Sequence, residues 1–118
     1  MPRYSTTSLE RLNTACNELQ DTFRQVIQIY DNTILQGARG EDKQNHYFKT
    51  GKSKLRYPQS KHNITENRPK SLAIDAAPWP IDWDDLESFY YFGGLVVATG
   101  FALGHKIRWG GDWDMDGD

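Results

Sequence analysis

"SKHNITENRPKSLAIDAAPWPIDW", residues 60–83, joins two segments of different character through a polar, proline-containing stretch. "SLAIDAAPW" (71–79) alternates as a strand does, with Leu72 and Ile74 pointing to one side and Ala73 and Asp75 to the other. Pro78 and Pro80 end it. "NITENRPK" (63–70) is polar throughout and reads as an exposed excursion. His62 stands just before the excursion and Asp75 on the strand after it. A strand at this point, in a chain whose other long segments carry a helical period, makes the fold a mixture of the two.

Upstream, Leu9, Leu12, Cys16, Leu19, Phe23, Val26, Ile27 and Tyr30 recur at three- and four-residue steps, which predicts one amphipathic helix. Thr7 and Glu10 have the spacing of a capping box at its start. "NTILQ" (32–36) reads as a short strand, "GARG" (37–40) as its flexible end, "EDKQNHYFKT" (41–50) as a short helix and "GKSKLRYPQS" (51–60) as a loop. Downstream, Asp82 is placed to cap a helix running from near Trp83 to about Gly104, and "HKIRW" (105–109) reads as a last strand. The resulting order of helix, strand, helix, strand, helix, strand predicts one α+β or α/β domain.

Composition narrows the partners. The 118 residues carry 14 Lys and Arg against 16 Asp and Glu, a formal charge of -2, so no basic face argues for nucleic acid. Cys16 is the single cysteine, which excludes an internal disulfide and a cysteine-based metal site. "MPRYSTTSLERL" (1–12) lacks the apolar core of a signal peptide, so synthesis in the cytoplasm is expected. "FYYFGGLVVATGFALG" (89–104) is uncharged but shorter than the roughly 20 residues of a membrane span. A core helix is expected there. Stable membrane insertion is not.

The chemistry-bearing pair is His62 and Asp75. A carboxylate among Leu72, Ile74, Ala76 and Ala77 needs a cation or several donors beside it. Ala73 leaves room next to it. One imidazole, one carboxylate and a small neighbour are what a catalytic zinc site draws on, with a third protein ligand still required. The plainer alternative has His62 closing a loop and Asp75 accepting from backbone amides.

"SKHNITENRPKSLAIDAAPWPIDW" resembles the S-x-H … A-x-D element of the D-alanyl-D-alanine carboxypeptidase and L-alanyl-D-glutamate peptidase family, zinc enzymes that include phage endolysins. "KIRWGGDW" (106–113) is similar to the strand and turn before that family's last catalytic segment, and "ILQGARGEDKQN" (34–45) to its upstream element. The resemblance implies a small Hedgehog/DD-peptidase-like α+β domain over residues 1–118, with a short antiparallel sheet packed against helices. It implies Zn2+ as cofactor, His62 and Asp75 as metal ligands, Arg39 as the catalytic cation that meets charge on the attacked carbonyl, and Ser60 as a substrate-binding residue. Gln44 matches in type and receives no role. The implied partner is the peptidoglycan stem peptide, cut at L-Ala–D-Glu or D-Ala–D-Ala in the bacterial cell wall by a phage or prophage protein.

Two departures from the family pattern carry expectations. Ser71 stands where the family has a glycine. The family's closing D-x-x-H, source of the third ligand and the general base, has no counterpart up to Asp118, so a truncated and poorly active domain is expected. "DWDMDG" (112–117) also matches the first half of a D-x-D-x-D-G calcium loop without the remainder. A wall-binding or structural phage protein that keeps the fold without catalysis is the alternative from another functional class.

Overall fold

The computed structural model describes residues 2–109. They form an α+β unit of four helices and one two-stranded antiparallel sheet: α1 (Thr6–Leu12), α2 (Asn17–Val26), β1 (Asn32–Gln36), α3 (Glu41–Lys49), β2 (Asp75–Pro78) and α4 (Leu86–Ala102).

The predicted first helix is two helices. Ser5, not Thr7, is the N-cap, its hydroxyl accepting from Ser8 N at 3.1 Å, so the Thr7–Glu10 box does not form. Thr14 then breaks the helix. Its hydroxyl donates to Arg11 O at 2.6 Å and accepts from Ala38 N at 2.8 Å. This side chain competes with the helical ladder and ties the break to the segment after β1. Gly37 is required here, because a Cβ would run into Thr14 Oγ1 and Arg11 O. The break frees residues 14–16 to pair with Ser71, through Ser71 N to Thr14 O at 2.9 Å and Cys16 N to Ser71 O at 2.8 Å.

β1 spans the residues expected of it. β2 is shorter than the sequence suggests, because Ser71 and Leu72 spend their backbone hydrogen bonds on other segments. The register pairs Asn32 with Pro78 and Ile34 with Ala76, then shifts at a bulge so that Gln36 faces Asp75. A bulge re-aims the side chains beside it, and this one lies at the end of the ribbon where the candidate site is built. The ribbon's apolar face, Ile34 and Ala76, packs into a core of Leu12, Leu19, Phe23, Val26, Phe92 and Val96.

α4 is the uncharged run, and it is a core helix. Phe89, Phe92, Gly93, Val96 and Gly100 form the buried stripe, while Tyr90, Gly94 and Phe101 face outward. Burying each of the phenylalanines contributes about 1.5–3 kcal/mol. Among the described residues no helix is long and apolar enough to cross a membrane. Its N-cap is Asp85 rather than Asp82, which instead accepts from Asp84 N in the preceding turn. The Ser88 hydroxyl and backbone N–H, both bonded to the Asp85 carboxylate, hold that group below the usual carboxylate range. At the other end Gly104, with φ +85°, closes a Schellman motif through His105 N to Gly100 O at 2.7 Å.

"HKIRW" is not a strand. It runs back along α4, with Ile107 over Gly100 and Trp109 over Gly93. Two glycines a heptad apart give the returning chain its groove. The acidic stretch with the half calcium-loop pattern, and the W-G-G-D-W turn beyond Trp109, lie outside the described residues.

The groove yields a paired prediction. At Gly94 an added Cβ meets nothing within 4 Å, so Gly94→Ala stabilises by about 0.5–1 kcal/mol through backbone entropy alone. At Gly93 the same methyl collides with the Trp109 ring. Gly93→Ala should therefore lower the urea midpoint where Gly94→Ala raises it.

Candidate functional site

The site lies where β1 leaves the ribbon and β2 enters it. Three segments meet there: residues 36–39 after the bulge, 60–63 before the polar excursion, and Asp75 at the head of β2. Backbone bonds stitch them together. Arg39 N donates to His62 O at 2.7 Å, and Leu72 N to Lys61 O at 2.7 Å. The second of these closes the base of the excursion, so His62 and Asp75 are held near each other despite the twelve residues between them.

The excursion is clamped rather than loose. Arg68 reaches back across it, donating to Asn63 O at 3.0 Å, Ser60 O at 2.9 Å and Pro58 O at 3.2 Å. Ser71, the departure from the family's glycine, is fully buried, and its hydroxyl bonds within its own turn to the Ala73 carbonyl. The serine is accommodated without opening the site.

His62 is 1% exposed, and its Nδ1 lies 2.8 Å from Gly37 O. A carbonyl can only accept, so Nδ1 carries a hydrogen and Nε2 is the ring nitrogen turned to the site. Nε2 faces Asp75 Oδ1 at 3.4 Å. Asp75 is not the buried carboxylate expected from its apolar neighbours, because its side chain is 43% exposed. Standing at the head of a short strand, it escapes the core that covers Ala76 and Ala77.

Either a proton on Nε2 or a cation shared by the two atoms satisfies this pair. Zinc bonds of about 2.0–2.2 Å in a tetrahedral arrangement place N and O about 3.3–3.4 Å apart. The donor types, their separation and the Nδ1 hydrogen bond, which is the usual support of a metal-binding imidazole, all fit a divalent cation. Among the described residues no group of three His, Cys, Asp or Glu side chains assembles. His46 lies exposed on α3, and His105 pairs with Asp21 at 3.4 Å on the α2 side.

Arg39 is 5% exposed and pinned on every side. Its Nε and one terminal nitrogen donate to Gln36 Oε1 at 3.0 and 2.6 Å, the other donates to Gln44 Oε1 at 2.7 Å, and the plane rests 4.7 Å from the centre of the Tyr47 ring. The fork stands 3.9 Å from Asp75 Oδ2. The geometry thus brings three of the four sequence-predicted residues together. Ser60 takes a different place. It is fully buried, its hydroxyl accepts from His62 N at 3.1 Å, and it has no surface on which to meet a substrate.

Gln44 is the residue that sequence reasoning left without a role. Fully buried, it accepts from Arg39 and from Asn63 Nδ2 at 3.1 Å, and donates to Ser53 Oγ at 3.1 Å and Leu55 O at 2.6 Å. One amide thereby locks the arginine, the histidine segment and the loop after α3. The signal was present in α3, where Gln44, Tyr47 and Phe48 share a face and a polar residue opens that stripe. Gln44→Leu should cost about 3 kcal/mol, because it strands buried donors that each cost about 1–3 kcal/mol unpaired. Urea unfolding measures it.

An imidazole–carboxylate pair beside a fixed guanidinium makes up the candidate site, and the comparisons give the chain its family. The profile of the phage L-alanyl-D-glutamate peptidase family matches residues 1–118, and the chain belongs to this family. It is similar to the L-alanyl-D-glutamate peptidase of Escherichia phage T5, with 35% identity over 121 aligned residues, 98% of this chain and 85% of that protein.

Proposed function

We propose that this chain is a zinc-dependent peptidase that hydrolyses the L-alanyl–D-glutamate bond in the stem peptide of peptidoglycan, on a DD-peptidase-like fold. Family membership favours this bond over D-Ala–D-Ala. The observation that carries the metal assignment is His62 Nε2 facing Asp75 Oδ1 at 3.4 Å, with Nδ1 tied to Gly37 O.

When bound, zinc supplies Lewis acidity to the scissile carbonyl and to the attacking water. The chain's own residues supply position and charge. His62 and Asp75 would hold the cation. The Gly37 carbonyl fixes the His62 ring and raises the basicity of Nε2. Arg39, immobilised by Gln36 and Gln44, meets negative charge on the carbonyl oxygen without reorganising. Ser60 and Asn63 act from behind, holding the turn that carries His62.

A catalytic zinc site takes three protein ligands. His62 and Asp75 would be two of them, and a third ligand and a general base would complete the site.

The reading as a whole is tested on purified peptidoglycan by following the new D-glutamate amino termini that cleavage releases. Release that stops with chelator and returns with zinc is expected. Chelator-insensitive binding without cleavage would instead indicate a wall-binding protein.

A further inference from the structure

β2 carries Asp75 at one end and runs at the other into a cleft of about 250 Å³ lined by Tyr30, Pro78, Trp79, Asp82, Asp85 and Ser88. The cleft combines two kinds of surface. Trp79 is 55% exposed, and Trp83 close by is 57% exposed, with its ring stacked at 5.4 Å on Phe89. Beside them, Asp82 and Asp85 each spend hydrogen bonds on local turns, through Asp84 N and Ser88, and keep lone pairs free to accept more. An aromatic face with a rim of carboxylate and hydroxyl acceptors suits a ligand with an apolar C–H face and hydroxyl donors at its edge. That is a sugar ring.

We propose that this cleft is a saccharide subsite that holds the muramic acid ring bearing the stem peptide. The inference rests on the L-Ala–D-Glu reading, because that bond fixes where the sugar must lie. One alanine and one lactyl group separate the scissile carbonyl from the ring, about two residue lengths or roughly 7 Å. Three residues of extended strand separate Asp75 from Pro78, about 10 Å. A carbonyl beside Asp75 therefore leaves the sugar within reach of the cleft wall. Trp79 is set there by the sheet itself, its N–H donating to Asp31 O at 3.2 Å at the end of the β1–β2 ladder. In this arrangement β2 acts as a ruler, with the metal pair at one end and the sugar platform at the other.

The test is calorimetric binding to the 118-residue chain of two ligands, N-acetylmuramyl-L-alanyl-D-glutamate and N-acetyl-L-alanyl-D-glutamate. The sugar-bearing ligand is expected to bind about tenfold tighter, the increment of one good aromatic contact. Trp79→Ala should erase that difference and leave the peptide's affinity unchanged, while Trp79→Phe, which keeps an aromatic face, should retain most of it. An equal preference in wild type and Trp79→Ala, or no preference for the sugar at all, would overturn the subsite. Cleavage is scored separately on the same two ligands. Sugar-dependent binding through Trp79 without hydrolysis would remove the peptidase reading and keep the subsite, whereas hydrolysis without sugar preference would do the reverse.

Discussion

Replacing His62 with asparagine should abolish specific zinc binding and bring stem-peptide hydrolysis to background, with little loss of fold. The choice of variant matters. His62 is nearly fully buried and donates to Gly37 O, so alanine would strand a buried acceptor at about 1–3 kcal/mol. The asparagine amide can reproduce the Nδ1 donor and has nothing where Nε2 stood. A pair with one member missing leaves Asp75 alone, and a single carboxylate holds zinc poorly. Zinc content after dialysis and hydrolysis rate are the two readouts, with circular dichroism as the control for folding. Retained zinc and retained activity in the asparagine variant would show that His62 closes a loop and does nothing more.

Arg39→Lys is the second large effect. The charge survives and the fork does not, so the bonds to Gln36 and Gln44 that fix the guanidinium cannot all be remade by an ammonium. Loss of a fixed donor to a developing oxyanion costs about 10²–10³-fold in kcat. A fall of that order is expected in the zinc-loaded protein, with KM and zinc content nearly unchanged. Should the variant lose stability alone, with kcat of the folded fraction intact, Arg39 is a buried strut and the charge on the carbonyl is met by another group.

Part of the candidate site was legible in the sequence. His62 and Asp75 flank the polar excursion at 63–70, whereas Arg39 was marked by the family resemblance, its own position being that of an ordinary loop arginine. β1 and α3 fell where their local signals placed them. The errors share a cause. The break at Thr14, the short β2 and the non-strand at 105–109 were all decided by partners distant in sequence: Ser71 for the break, residues 61 and 14–16 for the segment before β2, and the Gly93–Gly100 groove for the last. Periodicity reports a segment's own preference and carries no information on what it will meet. Gln44 and Arg68 were missed for the same reason. Each is one polar residue among many until the chain folds, and each then becomes the clamp on a segment that carries the site.

The most direct measurement follows the imidazole nitrogens of the 118-residue chain by long-range 1H–15N spectroscopy as zinc is added. Three histidines are present, so each ring can be assigned. The predicted result is a shift of the His62 Nε2 resonance that saturates with zinc while Nδ1 keeps its proton, with His46 and His105 unmoved. Zinc-dependent shifts at His46 or His105 with His62 unchanged would contradict the assignment of His62 and Asp75 as the metal pair.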